Sequence, residues 1–102
     1  MFDMFGKLNE VKKAMEEIKF RLDKITVDGE AGEGQVKVTM TGNREVKSVV
    51  ISDRFMQADR KEELQELLEL AINRASEKAQ SLSETEMKAA GRGILPNIPG
   101  LF

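Results

Sequence analysis

A chain of 102 residues, 40% hydrophobic and 33% charged, has the composition of a single folded domain, which excludes wholesale disorder. It lacks cysteine and histidine, which excludes disulfides, thiolate metal sites and histidine-based catalysis. No apolar run approaches the ~20 residues that span a bilayer, and the N-terminus has no signal-peptide order, so we expect an unprocessed cytoplasmic protein. The net charge of −2, taken alone, argues against a strong sequence-independent nucleic-acid binder, so the distribution of charge matters more.

The first segment carries apolar residues at alternating spacings of four and three. They are Met4, Leu8, Val11, Met15, Ile18, Leu22 and Ile25. This heptad seam predicts a helix over about residues 3–23 that packs mainly against one other helix. Whether that helix belongs to the same chain or to a partner stays open.

Basic residues lie on both flanks of this seam. Lys7 and Arg21 fall on one flank, and Lys12 and Lys19 fall on the other. Such lysines can cover the seam with their methylene stems, or they can form a basic edge that contacts phosphates. The two interpretations are compatible, because a lysine stem that lies on the seam still directs its charge outward.

The middle of the chain, residues 25–51, alternates apolar and polar residues and is interrupted twice by turn residues. This period predicts a three-stranded antiparallel meander with one buried face. The third strand departs from the pattern, because Val46, Val49, Val50 and Ile51 place apolar groups on both faces. We expect an interface or a covering loop over this strand.

Three glycines, Gly29, Gly32 and Gly34, lie among acidic residues near the first turn. A phosphate-binding loop would need a helix N-terminus directly after it, whereas a strand follows here. We therefore expect the glycines to serve turn conformations. The neighbouring carboxylates are expected to be solvated, with no metal bound.

The second helix is predicted to start near Asp59, with Glu62 completing a capping box. Its first half is apolar around much of its circumference and is expected to be buried on the sheet. From Arg74 onward the apolar set narrows to Ala75, Ala79 and Leu82, which predicts an arm that leaves the sheet beside the first helix. The basic residues of this half are Arg74, Lys78, Lys88 and Arg92.

The chain ends in the segment ILPNIPGLF, residues 94–102, which contains two prolines. We expect one domain over residues 1–93 followed by this apolar tail, either docked or disordered. The serines, at positions 48, 52, 76, 81 and 83, have no obvious base beside them. No enzyme activity, cofactor or small-molecule substrate is therefore expected.

The order of these segments resembles the YbaB/EbfC family of small bacterial nucleoid-associated DNA-binding proteins. The resemblance spans essentially the whole chain and rests on GEAGEGQVKVTMTG followed by VKSVVIS, with an MF-rich start and a closing PGLF. It implies an α+β fold of helix, three-stranded antiparallel meander and long helix. It also implies a tweezer-like homodimer with projecting helical arms.

The resemblance further implies that these arms bind double-stranded DNA, often with weak sequence preference, in association with the nucleoid. Carried over by position, the candidate DNA-binding residues are Lys7, Lys12, Lys13, Lys19, Arg21, Lys24, Arg74, Lys78, Lys88 and Arg92. The alternative function is a dimeric protein-interaction module that holds another protein in its helical jaws or on its C-terminal tail. The net negative charge and the acidic start of the second helix favour this alternative.

Overall fold

The chain folds as one helix, three strands and a second, longer helix, in a computed structural model that describes residues 4–94. The elements are α1 (Met4–Asp23), β1 (Thr26–Ala31), β2 (Val36–Thr41), β3 (Val46–Ile51) and α2 (Lys61–Ile94), with two 3-10 turns, Asp53–Phe55 and Ala58–Arg60, before α2. The predicted fold class is therefore confirmed. The prediction that Asp59 caps the second helix is wrong, because this residue lies inside the second 3-10 turn and α2 begins at Lys61.

The three strands form an antiparallel sheet in the order β1-β2-β3. Val38 of the central strand lies opposite Gly29 on one side and opposite Val49 on the other. A register shift between Thr39 and Met40 marks an irregularity in the pairing with β3. Val36, Val38 and Met40 of β2 are buried, as the alternation of apolar and polar residues in this part of the sequence predicts.

Helix α2 lies across β1 and β2 and forms the core with them. The core consists of Ala31, Val36, Val38, Met40, Phe55, Ala71 and Ala75. Leu64, Leu67 and Leu68 are only partly buried against it, and Leu70 and Ile72 are exposed. The prediction that the whole leucine-rich half is buried is wrong, because one sheet face covers only one stripe of a helix.

Strand β3 is left uncovered by the described part of the chain. The side chains of Val46, Val49 and Val50 are 48%, 45% and 55% exposed. Because no loop within residues 4–94 shields these valines, the covering-loop interpretation is not supported there. The strand therefore has the apolar composition of a buried strand, although its valine side chains are exposed.

Gly29 allows α2 to approach the sheet. A Cβ atom at this position would lie 2.1 Å from the Ala71 carbonyl oxygen and 2.3 Å from the Ala75 nitrogen. The turn interpretation is therefore wrong for Gly29, which lies within β1 and serves a close backbone contact. It holds for Gly32 and Gly34, whose φ angles are +64° and +83°.

Beyond the sheet, α1 and α2 pack as a pair. Ile18 and Leu22 of α1 are buried, as is Ala79 of α2, whereas Leu8 and Met15 are exposed. The radius of gyration is 18.8 Å, against about 13 Å for a compact chain of this length. The molecule is therefore elongated, and of the seam residues whose side chains are described only Ile18 and Leu22 are buried.

Candidate nucleic-acid interface

One basic surface follows the side of α2. Arg74, Lys78, Ser81, Thr85 and Lys88 recur at spacings of four, three, four and three residues, so they share one face of the helix. Hydroxyl groups can donate to phosphates as lysine and arginine do, but the Thr85 hydroxyl already donates a hydrogen bond of 2.9 Å to the Ser81 carbonyl. Ser81 and Thr85 are not among the candidates expected from the sequence, although their spacing from the basic residues places them on the same face.

This α2 surface is only partly free to bind an anion. Nη1 of Arg74 donates a hydrogen bond of 2.7 Å to the backbone carbonyl of Glu30, which fastens α2 to the outer edge of β1. Arg74 and Lys78 line a hollow of about 830 Å³ together with Asp28, Glu30 and Glu77. Because three carboxylates line this hollow, the charge here is mixed.

A second basic surface lies on α1. Lys12 and Lys19 are exposed and border a hollow of about 410 Å³ between α1 and α2. Its other lining residues are Met15, Glu16, Ile18, Leu22, Asn43, Ser83 and Met87. Within residues 4–94 neither lysine forms an ion pair, so both ammonium groups are available to a partner.

The two surfaces do not merge in one chain. Ser83 of α2 borders the hollow with Lys12 and Lys19, whereas Lys78 borders the hollow with Arg74. At 100° per residue, Ser83 and Lys78 point about 140° apart around α2. The candidate residues therefore form two separate surfaces on the helical pair.

The remaining candidate DNA-binding residues belong to neither of these two surfaces. Nη2 of Arg21 lies 3.1 Å from Oε2 of Glu86 and joins the two helices. Lys24 holds its ammonium 4.2 Å from the centre of the Phe20 ring, and Lys13 borders the same shallow hollow as Phe20. Lys7 lies exposed near the start of α1, and of Arg92 only the helical backbone is described.

No three acidic side chains within residues 4–94 are placed to hold a metal ion together. None of the helices there combines the length and apolar character that crossing a membrane requires.

Fold and surface together define a class: an α+β protein with a small sheet and a long helical pair that presents basic side chains. The model of the YbaB/EbfC DNA-binding family matches residues 1–94. A nucleoid-associated protein of Flavobacterium johnsoniae is 39% identical over 101 residues, covering 99% of this chain and 93% of that protein. A nucleoid-associated protein of Chloroflexus aurantiacus is 40% identical over 93 residues, covering 91% and 89%.

The fold is also that of a solved structure. The crystal structure of an uncharacterized protein from Helicobacter pylori matches with a TM-score of 0.73 at 22% identity, covering 88% of this chain and 91% of that one. The chain therefore belongs to the YbaB/EbfC DNA-binding family, as the resemblance had indicated.

Proposed function

We propose that the chain forms a homodimer that binds double-stranded DNA through phosphate contacts, with weak sequence preference, in association with the bacterial nucleoid. The observation that carries the proposal is a pair of exposed lysines on α1, Lys12 and Lys19, which form no ion pair within residues 4–94 of a chain that belongs to a DNA-binding family. Family membership supports DNA as the partner. The lysines supply the chemistry that neutralises phosphates.

Strand β3 supports dimerisation. The backbone hydrogen bond from Ser52 to Gln35 fixes the register of this end of β3, so the N–H and C=O groups of Val49 and Ile51 point away from β2. The opposite edge of the sheet, along β1, is partly closed because the Arg74 guanidinium donates a hydrogen bond to the Glu30 carbonyl. An open edge beside exposed valines is a template for pairing with a second chain. A second copy of β3 would satisfy these groups and cover the valines.

Phosphate contacts are expected to dominate because the two basic surfaces follow the length of the helical pair. Lysine, arginine, serine and threonine side chains position a protein on the DNA backbone without reading its sequence. A dimer would carry two such helical pairs, and α2 alone is about 51 Å long for its 34 residues. Binding should then depend on charge rather than on base identity.

The proposal is tested by fluorescence anisotropy on two labelled duplexes of equal length and unrelated sequence, each at two salt concentrations. We expect similar affinities for both duplexes and a steep loss of affinity with salt. For each phosphate neutralised, a tenfold rise in salt concentration should lower the affinity by roughly tenfold. No binding at low salt, or binding indifferent to salt, would contradict the proposal.

A second candidate function is a protein-interaction module. The hollow between the helices favours it, because Met15 and Met87 offer an adaptable apolar surface beside Lys12 and Lys19. A pull-down from lysate with and without nuclease separates the two functions. Partners that survive nuclease favour a protein partner, and partners that disappear favour DNA.

A further inference from the structure

Phe20 is exposed on the side of α1 that faces away from α2. Its side chain is 61% exposed, and it lies about 160° around the helix from the buried Ile18 at 100° per residue. By contrast, Phe55 is buried in the core. The exposed ring therefore contributes little to packing within the described chain.

The surroundings of the ring are basic on one side. The ammonium group of Lys24 lies 4.2 Å from the ring centre, within cation–π distance. Phe20 shares a shallow hollow of about 410 Å³ with Lys13, Arg21, Glu16 and Glu17. Glu16 and Glu17 lie between Lys13 and Phe20 along α1 and would repel phosphate there, so the cation placed to bind an anion at the ring is Lys24, on its C-terminal side.

We propose that Phe20 stacks on an unpaired nucleobase of single-stranded nucleic acid, with Lys24 contacting the adjoining phosphate. An aromatic ring beside cations is the arrangement that binds single strands with little sequence preference, since every base has a π face. This proposal rests on the proposed function, because it adds a contact with bases to a protein proposed to bind phosphates through Lys12 and Lys19 on another face of α1. It predicts that the protein distinguishes a single strand from a backbone without bases.

Tryptophan provides the probe, because the chain contains neither tryptophan nor tyrosine. Phe20→Trp in the full chain gives a single fluorophore at the proposed contact. The probes are an oligothymidylate, an abasic oligomer of the same length and a mixed-sequence duplex. Met56→Trp is the matched control, because Met56 is 63% exposed and lies between the two 3-10 turns rather than on α1.

We expect the oligothymidylate to quench the fluorescence of Phe20→Trp, while the abasic oligomer and the Met56→Trp control leave it nearly unchanged. Quenching by the duplex instead would mean insertion at a base step and would overturn the single-strand assignment. Equal quenching by the abasic oligomer would overturn stacking altogether.

Affinity gives an independent readout. Phe20→Leu keeps an apolar side chain but removes the π face, and it should weaken binding of the oligothymidylate by about five- to a hundredfold. Its affinity for the abasic oligomer should be unchanged, and its circular dichroism should match that of the wild type because the ring is exposed.

Anisotropy with the wild type separates the two proposals. If the duplex and the oligothymidylate both bind but Phe20→Leu has no effect, stacking fails and the proposed function stands. If neither binds at low salt, both fail.

Discussion

The contact between Gly29 and α2 yields the sharpest prediction about stability. In Gly29→Ala the new Cβ would lie 2.1 Å from the Ala71 carbonyl oxygen and 2.3 Å from the Ala75 nitrogen, where ordinary contacts begin at 3.4 Å. Both atoms belong to the helix backbone, so α2 must move from β1 by roughly 1 Å. Overpacking of this kind costs about 3 kcal/mol or more, out of about 5–15 kcal/mol for a small domain.

Urea unfolding followed by circular dichroism at fixed protein concentration measures this cost. With a slope of about 1–3 kcal/mol per molar urea, the unfolding midpoint should fall by roughly 1–3 M. Gly34→Ala is the matched control, because a Cβ there meets nothing within 4 Å although φ is +83°. It should cost about 1–2 kcal/mol from the left-handed backbone alone. If Gly29→Ala destabilises no more than Gly34→Ala, the close-contact explanation is refuted.

Two further predictions concern the dimer and the attachment of α1. Sedimentation at micromolar concentration should give about twice the 11.4 kDa chain mass, and Val49→Lys in β3 should lower it while Thr26→Lys in β1 should not; a monomeric wild type would remove the dimer from the account. Asn43→Ala should lower the free energy of unfolding by about 1 kcal/mol, because Nδ2 of Asn43 donates to the Lys19 carbonyl at 2.9 Å; an unchanged urea midpoint would contradict this role.

Much of the fold could be predicted because its signals are local. The alternation of Val36, Val38 and Met40 has the period of a strand, and these residues are buried as expected. The heptad spacing in α1 likewise gave its bounds. The contact at Gly29 could not be predicted, because it depends on how closely α2 lies on β1, and an isolated glycine in a sequence is equally compatible with a turn.

The site was less predictable than the fold. Spacing along each helix indicated which residues are basic and exposed, but not how α1 and α2 are placed relative to each other. The ion pair between Arg21 and Glu86 joins residues 65 positions apart, which no local pattern encodes. The position of Phe20 off the seam was readable from helical period, yet its contact with Lys24 was not.

The domain boundary and the tail remain predictions. Helix α2 continues to Ile94, and residues 95–102 lie outside the described part of the chain. The expectation that the tail is either docked or disordered therefore stays a prediction. The roles of the ten basic residues in DNA binding are likewise proposals that the experiments decide.

The most direct test of DNA binding through the α1 surface is the salt dependence of affinity for paired charge variants. Replacing Lys12 and Lys19 by glutamine should weaken binding about equally on any duplex and reduce the slope of log affinity against log salt by roughly one unit per lost contact. Replacing Glu16 and Glu17 by glutamine should leave affinity unchanged or raise it slightly through a less repulsive field. Equal losses in both pairs would contradict the account and would move the binding site to Arg74, Lys78 and Lys88.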